Sequence, residues 1–297
     1  MTAAANIEGA DTLLHRAEKE AAYILAMTAG RSHRLSHIRG SHGRRRAGEG
    51  DSFWQFRNYM PGDTAQQIDW RRSARSTGLY VRQQEWETAQ NLYFWVDSSA
   101  SMKFASHSRY PSKYERAQLL AMSLAVLFSQ AGERIGLLSN TAHPPRSGRY
   151  GLRLMAQDLE NASTTPQHGT SYLNHGSHVV FISDFLDEQE QLKRLFAPVQ
   201  AQGCRAHLIQ VIDPSEEDFP YKGRIRFEGM EGELPEVLER AEDLRIPYTR
   251  RFTAHQAALR DFATHQGWSF TTHRSDHGLT SCLLSTMLLI AEQDWRA

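Results

Sequence analysis

Residues 97–101 read Asp-Ser-Ser-Ala-Ser and follow an apolar run of strand length, Asn91–Val96. If alternate side chains of a tight turn share one side, Asp97, Ser99 and Ser101 offer one carboxylate and two hydroxyls to a single point. Mg²⁺ and Mn²⁺ prefer such hard oxygen ligands, and Mg²⁺ usually keeps several of its waters. So few charged ligands leave a cation under-neutralised, which favours a carboxylate arriving from outside. Two further apolar runs also stop at an aspartate, HVVFIS before Asp184 and AHLIQVI before Asp213. In open parallel sheets, ligands sit in the crevice beyond the strand C-termini. Acids far apart in sequence can converge there. Asp213 precedes Pro214 and is read as a turn former in preference to a ligand.

Positioning these residues requires strands alternating with helices, and the pattern supplies them. Helical spacing covers residues 11–29 and stops at Gly30; an arginine-rich, acid-free stretch follows over 31–46. Between Gly48 and Ala89, turn signals at Pro61-Gly62-Asp63 and Thr77-Gly78, with alternation over Leu79–Glu87, predict a small β-rich piece. From Gln90 onward strands are expected at 91–96, 134–138, 178–183, 206–212 and 268–272. Helices are expected at about 112–131, 187–201, 235–266 and 279–292. Continuous apolar strands separated by helices mean an α/β fold with a doubly wound, mostly parallel sheet covered on both faces. The organisation is therefore an N-terminal helix and basic linker (1–47), a small β-rich region (48–89) and the α/β domain (90–297).

Bulk properties exclude several classes. Lys plus Arg and Asp plus Glu both number 34 in 297 residues, so no global field favours nucleic acid. Two cysteines, Cys204 and Cys282, cannot form a disulfide framework, which points to a reducing compartment. The start lacks the basic and apolar regions of a signal peptide, and no apolar stretch is long enough to span a bilayer. The reading is a cytoplasmic protein without a membrane span.

The Asp97-x-Ser99-x-Ser101 run resembles the metal-ion-dependent adhesion site of von Willebrand factor A domains. Those domains also use a threonine from a second loop and an aspartate from a third. By chain order these correspond to Thr170, with Thr164 and Thr165 as nearby competitors, and to Asp184. Upstream, RNYMPGDTAQQIDWRRSAR followed by LYVRQQE is similar to the signature of the domain-of-unknown-function-58 family, as is VIDPSEEDFP later in the chain. The similarity covers roughly residues 40–290. It implies a von Willebrand factor A-like domain that binds Mg²⁺ or Mn²⁺ and catalyses nothing. It also implies a protein partner, a MoxR-type AAA+ ATPase or its client, in protein maturation or complex assembly. Many family members carry N-terminal membrane helices that this sequence lacks.

Plainer accounts stand beside these. Asp-x-Ser-x-Ser is also a common turn or helix cap, and Thr170 could cap a helix. Asp63 and Asp69 could pair with Arg71, Arg72 or Arg75 around a buried Trp70, a structural clamp in which burying the indole contributes roughly 2–3 kcal/mol. The 31–46 stretch has no aromatic residue for base stacking, so a solvated linker explains it better than nucleic-acid binding. His33, His37 and His42 lack the companions of a zinc motif. A phosphoesterase or phosphotransfer enzyme using Asp97 would want a second acid at position 99, where serine stands, and a lysine soon after Asp184, where Lys193 is the first. A metal-free structural adaptor is the remaining alternative.

Overall fold

The computed structural model describes residues 2–28, 46–48, 52–60, 64, 68–75, 78–86, 89–139, 143–161, 172–230 and 234–295. The central element is a five-stranded, wholly parallel sheet. Its strands are β4 (Asn91–Val96), β5 (Arg134–Leu137), β6 (His178–Ser183), β7 (Arg205–Ile212) and β10 (Ser269–Arg274). They lie side by side in the order β10-β7-β6-β4-β5. Along the chain, the path steps outward to β5, then crosses back past β4 to β6. The order therefore reverses between β4 and β6, and that is where an open α/β sheet opens a crevice beyond its strand ends.

Both faces are covered, which is why the inner strands β4 and β6 read as nearly unbroken apolar runs, while the edge strand β10 does not. Leu92, Phe94 and Val96 point into one core with α1 (Thr2–Thr28), α3 (Lys113–Gln130), α4 (Gly148–Glu160) and α8 (Thr280–Trp295). Tyr93 and Trp95 point into the other, formed with α5 (Gln189–Ala201) and α7 (Arg245–His265). Each fully buried aromatic, such as Phe94 or Phe181, contributes roughly 1.5–3 kcal/mol of burial. In α1, Ala10, Leu13, Leu14, Ala17, Ala21 and Ile24 form the buried stripe that joins the first core.

Ahead of β4, β1 (Arg46–Gly48), β2 (Ser52–Asn58) and β3 (Tyr80–Trp86) form a small antiparallel sheet in the order β1-β3-β2. A short helix, α2 (Trp70–Ser73), lies between β2 and β3 and is capped by Asp69, whose Oδ1 accepts the Arg72 N–H at 2.9 Å. The Arg72 guanidinium lies over the Phe56 ring at 4.3 Å and the Tyr80 ring at 5.3 Å. The clamp is thus a helix cap plus cation–π contacts. The buried Trp70 expected from sequence is not found: the side chain is 61% exposed. Asp63, the Pro61-Gly62 turn and the His33, His37 and His42 group lie outside the described residues.

Three element readings need correction. The helix predicted over 235–266 begins only at Arg245, after a small two-stranded ribbon of β8 (Ile225–Phe227) and β9 (Glu236–Leu238) and a 3₁₀ turn. Pro247 explains the late start, because proline is tolerated only in a first helical turn and breaks the bond to the residue four before it. The first helix starts at Thr2 and not near residue 11; its alanine-rich opening has helix propensity without apolar periodicity. Helix α4, which the sequence reading omits, does show the spacing, with Leu152, Met155, Ala156 and Leu159 buried.

Candidate functional site

Asp97 follows the last residue of β4, and register decides what it meets. Val96 pairs with Ile182, and the Asp97 N–H donates to the Ile182 carbonyl at 3.0 Å, so Asp97 lies beside Ser183 at the end of β6. The Ser183 hydroxyl donates to Asp97 Oδ2 at 2.7 Å, and the Ser99 N–H donates to Asp97 Oδ1 at 2.8 Å. Asp97 is only 2% exposed. Burial raises its pKa, and the hydrogen bonds from Ser183 and Ser99 offset part of that; the Asp184 charge raises it further.

The next three residues close the gap to β6. A 3₁₀ turn over Ser101–Lys103 sets Ser101 toward the neighbouring strand end. Ser99 Oγ and Ser101 Oγ lie 3.1 Å apart, and the Ser101 hydroxyl donates to Asp184 Oδ2 at 2.8 Å. Asp184 leads into Phe185, which has φ 53°. That left-handed conformation is costly for a bulky residue. Three contacts hold it. The Phe185 N–H donates to Ser183 Oγ at 2.8 Å, and His255 Nε2 donates to the Phe185 carbonyl at 2.8 Å. The ring is wholly buried in the second core. The turn aims the Asp184 carboxylate back across the crevice.

Four of the five residues singled out by sequence therefore gather at one rim, at the β4/β6 switch point: the Ser99 backbone N–H ties that residue to the Asp97 carboxylate, the Ser99 and Ser101 hydroxyls touch, and Ser101 reaches the Asp184 carboxylate. Thr170 and its competitors Thr164 and Thr165 lie outside the described residues. The donor chemistry suits a small hard cation. Among the described residues no three His, Cys, Asp or Glu side chains form a ready-made metal cage, so any ion here would rest on two carboxylates, with hydroxyls and water.

Asp213 behaves as a turn residue. Its carboxylate caps α6 (Pro214–Asp218), accepting the Ser215 N–H and hydroxyl at 2.8 Å each, and its Oδ2 accepts the Ser106 N–H at 2.9 Å. Burial pushes its pKa up, but the bonds from Ser106 and Ser215 outweigh this and leave it below the ordinary value.

One residue of the site escapes the sequence reading. Lys113, the first residue of α3, is 1% exposed, and its Nζ lies 2.8 Å from Asp184 Oδ2 and 2.5 Å from Glu216 Oε1. Burial pulls the ammonium pKa down, and the two carboxylates outweigh that and raise it. A signal existed. A cation in the first helical turn opposes the helix dipole, so a lysine placed there and followed by an apolar helix calls for a buried acid.

An α/β protein with an oxygen-lined crevice at its switch point is the class that this geometry defines. The family model described as "Protein of unknown function DUF58" matches residues 55–258, more than half of the chain, and the chain belongs to that family. Uncharacterised proteins of Mycobacterium tuberculosis and Mycobacterium bovis are 27% identical over 270 residues, covering 84% of this chain and 78% of theirs. Among solved structures, an aerotolerance-related membrane protein from Bacteroides fragilis is similar at 14% identity with a TM-score of 0.43, covering 69% of this chain and 100% of that one. A conserved hypothetical protein BatB from Bacteroides thetaiotaomicron has the same identity and a TM-score of 0.40, covering 70% of this chain and 100% of its own.

The cytoplasmic reading of the sequence is corrected to no assigned location: one solved neighbour is titled a membrane protein, and a third, from Vibrio fischeri, is titled membrane spanning (14% identity, TM-score 0.18, 68% of this chain and 99% of that one), words that describe those proteins. Among the described residues no helix is long and apolar enough to cross a membrane.

Proposed function

We propose that the chain is a non-enzymatic protein-binding adaptor, a von Willebrand factor A-like domain whose rim holds Mg²⁺ or Mn²⁺ through Asp97, Ser99, Ser101 and Asp184. When bound, the ion supplies a coordination position for a carboxylate of a partner. The observation that carries the reading is the continuous link Asp97–Ser99–Ser101–Asp184 across the switch point. Two carboxylates balance a divalent charge without the surplus that would repel an incoming acid. Ser183 holds Asp97, and the left-handed turn at Phe185 holds Asp184, so both are oriented before any ligand arrives. The family resemblance names the partner class: a MoxR-type AAA+ ATPase, or the client it acts on. Isothermal titration with MnCl₂ on the wild-type chain and on Asp97→Ala tests the ion. Heat in the first and none in the second supports it; no heat in either refutes it. Pull-down of the ATPase with and without chelator tests the partner.

One observation favours a metal-free adaptor instead. Lys113 already places a positive charge against Asp184, and a partner could then dock on the rim without an ion. The same titration separates the two.

A further inference from the structure

Lys113 opens α3, where Ser112 and Glu115 form a reciprocal capping box. A solvent-facing lysine at such a position would leave the helix terminus. This one is buried and shared between two acids carried on different elements. Glu216 is itself fixed: its Oε2 accepts the Asp213 N–H at 2.8 Å, in the capping box of α6, while Oε1 takes the ammonium. Asp184 Oδ2 thus receives two donors at 2.8 Å, the Ser101 hydroxyl and the Lys113 ammonium. Ser101 takes one lone pair of this oxygen and the lysine the other, while Oδ1 accepts the Leu186 N–H at 3.2 Å, so a cation that coordinates Oδ2 has to displace one of its two donors. Positive charge near Asp184 also repels a second cation.

We propose that Lys113 is a built-in competitor of the divalent ion: its ammonium neutralises Asp184, and an ion loads only as Lys113 leaves Asp184 and retires onto Glu216. This rests on the metal reading of the rim given above. The exchange needs little motion, because the second acceptor is already in hydrogen-bond contact with the same Nζ. Glu216 is the parking position, and its place in the α6 cap keeps it from following the lysine. The lysine keeps Asp184 from standing as an unpaired buried charge between binding events. It also raises the ion concentration at which the rim loads, making this a site with a threshold and not a permanently filled one.

The test compares Mn²⁺ binding by the full wild-type chain with that of Lys113→Met, which keeps the stem and removes the charge, using electron paramagnetic resonance of free Mn²⁺. At least tenfold tighter binding in Lys113→Met is expected, with a larger rise in Tm on adding Mn²⁺. Equal or weaker binding by a folded variant overturns the competitor role while leaving the metal site standing. Absence of Mn²⁺ binding in every form refutes the metal reading itself. Should Lys113→Met fold poorly, Lys113→Met/Glu216→Gln removes the acid left without a partner and carries the same expectation. In the wild type, nitrogen-15 resonances of the lysine side chains supply a readout that needs no variant. The Lys113 Nζ signal should shift as Mg²⁺ saturates the rim, and a signal that stays fixed at saturation overturns the exchange.

Discussion

Ser183 Oγ donates to Asp97 Oδ2 at 2.7 Å and at the same time accepts the Phe185 N–H at 2.8 Å. One wholly buried hydroxyl therefore ties the acid at the end of β4 to the strained turn that carries the acid of β6. Parallel pairing alone brings the strand ends to one edge, but it does not orient the side chains just beyond those ends. The hydroxyl does.

Replacing Ser183 by alanine leaves Asp97 Oδ2 and the Phe185 N–H without this partner in a water-excluded place. Each buried orphan of this kind costs roughly 1–3 kcal/mol. Ser183→Ala should lower the urea midpoint correspondingly and weaken Mn²⁺ binding together with it. A variant as stable as the wild type would show that neither acid depends on this hydroxyl.

Asp97→Asn separates fold from function. Burial raises the Asp97 pKa, so ionising it works against the folded state. Asparagine can still accept the Ser99 N–H and donate toward Ser183 Oγ, without the charge. Urea unfolding at pH 7 should place Asp97→Asn within about 1 kcal/mol of the wild type, or above it, while Mn²⁺ binding disappears. A loss beyond about 2 kcal/mol would mark Asp97 as a structural residue and remove the reason to read it as a ligand.

Much of this was legible in the sequence because it depends on local patterns. The runs before Asp97, Asp184 and Asp213 are apolar because both sheet faces are covered, and they end where the strands end. That Asp97 and Asp184 meet while Asp213 turns aside was harder to read. It follows from strand order, which sets β4 against β6, and from Pro214, which makes Asp213 a helix cap. The lysine beside Asp184 could not be found by looking downstream toward Lys193. It comes from a helix that precedes Asp184 in the chain, a juxtaposition created by the crossover from β4 through β5 to β6. Trp70 misled for the opposite reason: an indole implies burial on average, yet here it opens the short helix α2 and stays exposed.

Acid sensitivity should come from two buried histidines that are not among the oxygen-bearing residues of the rim. His207 is buried between strands; its Nε2 lies 3.1 Å from His178 Nδ1 and its Nδ1 lies 2.8 Å from Ser269 Oγ, with the two imidazoles stacked. Burial, then the neighbouring His178 and Arg205, hold its pKa well below 6.5. His273 on β10 is pushed down to about 4 by burial first, then by Arg116 and His277, against the opposing pull of Asp276. Both groups are neutral in the fold and titrate normally when unfolded. Their contribution is therefore complete above about pH 6.5, declines as pH falls below that value, and for His273 is gone by about pH 4. For His273 the shift corresponds to roughly 3 kcal/mol. Urea midpoints measured at about pH 7.5, 6 and 5, one value above the onset of histidine titration and two below it, should fall with acidity in the wild type. In His273→Gln the fall should be shallower, since glutamine does not titrate. Parallel curves for the two proteins would show that His273 is as free to take up a proton in the fold as in the unfolded chain.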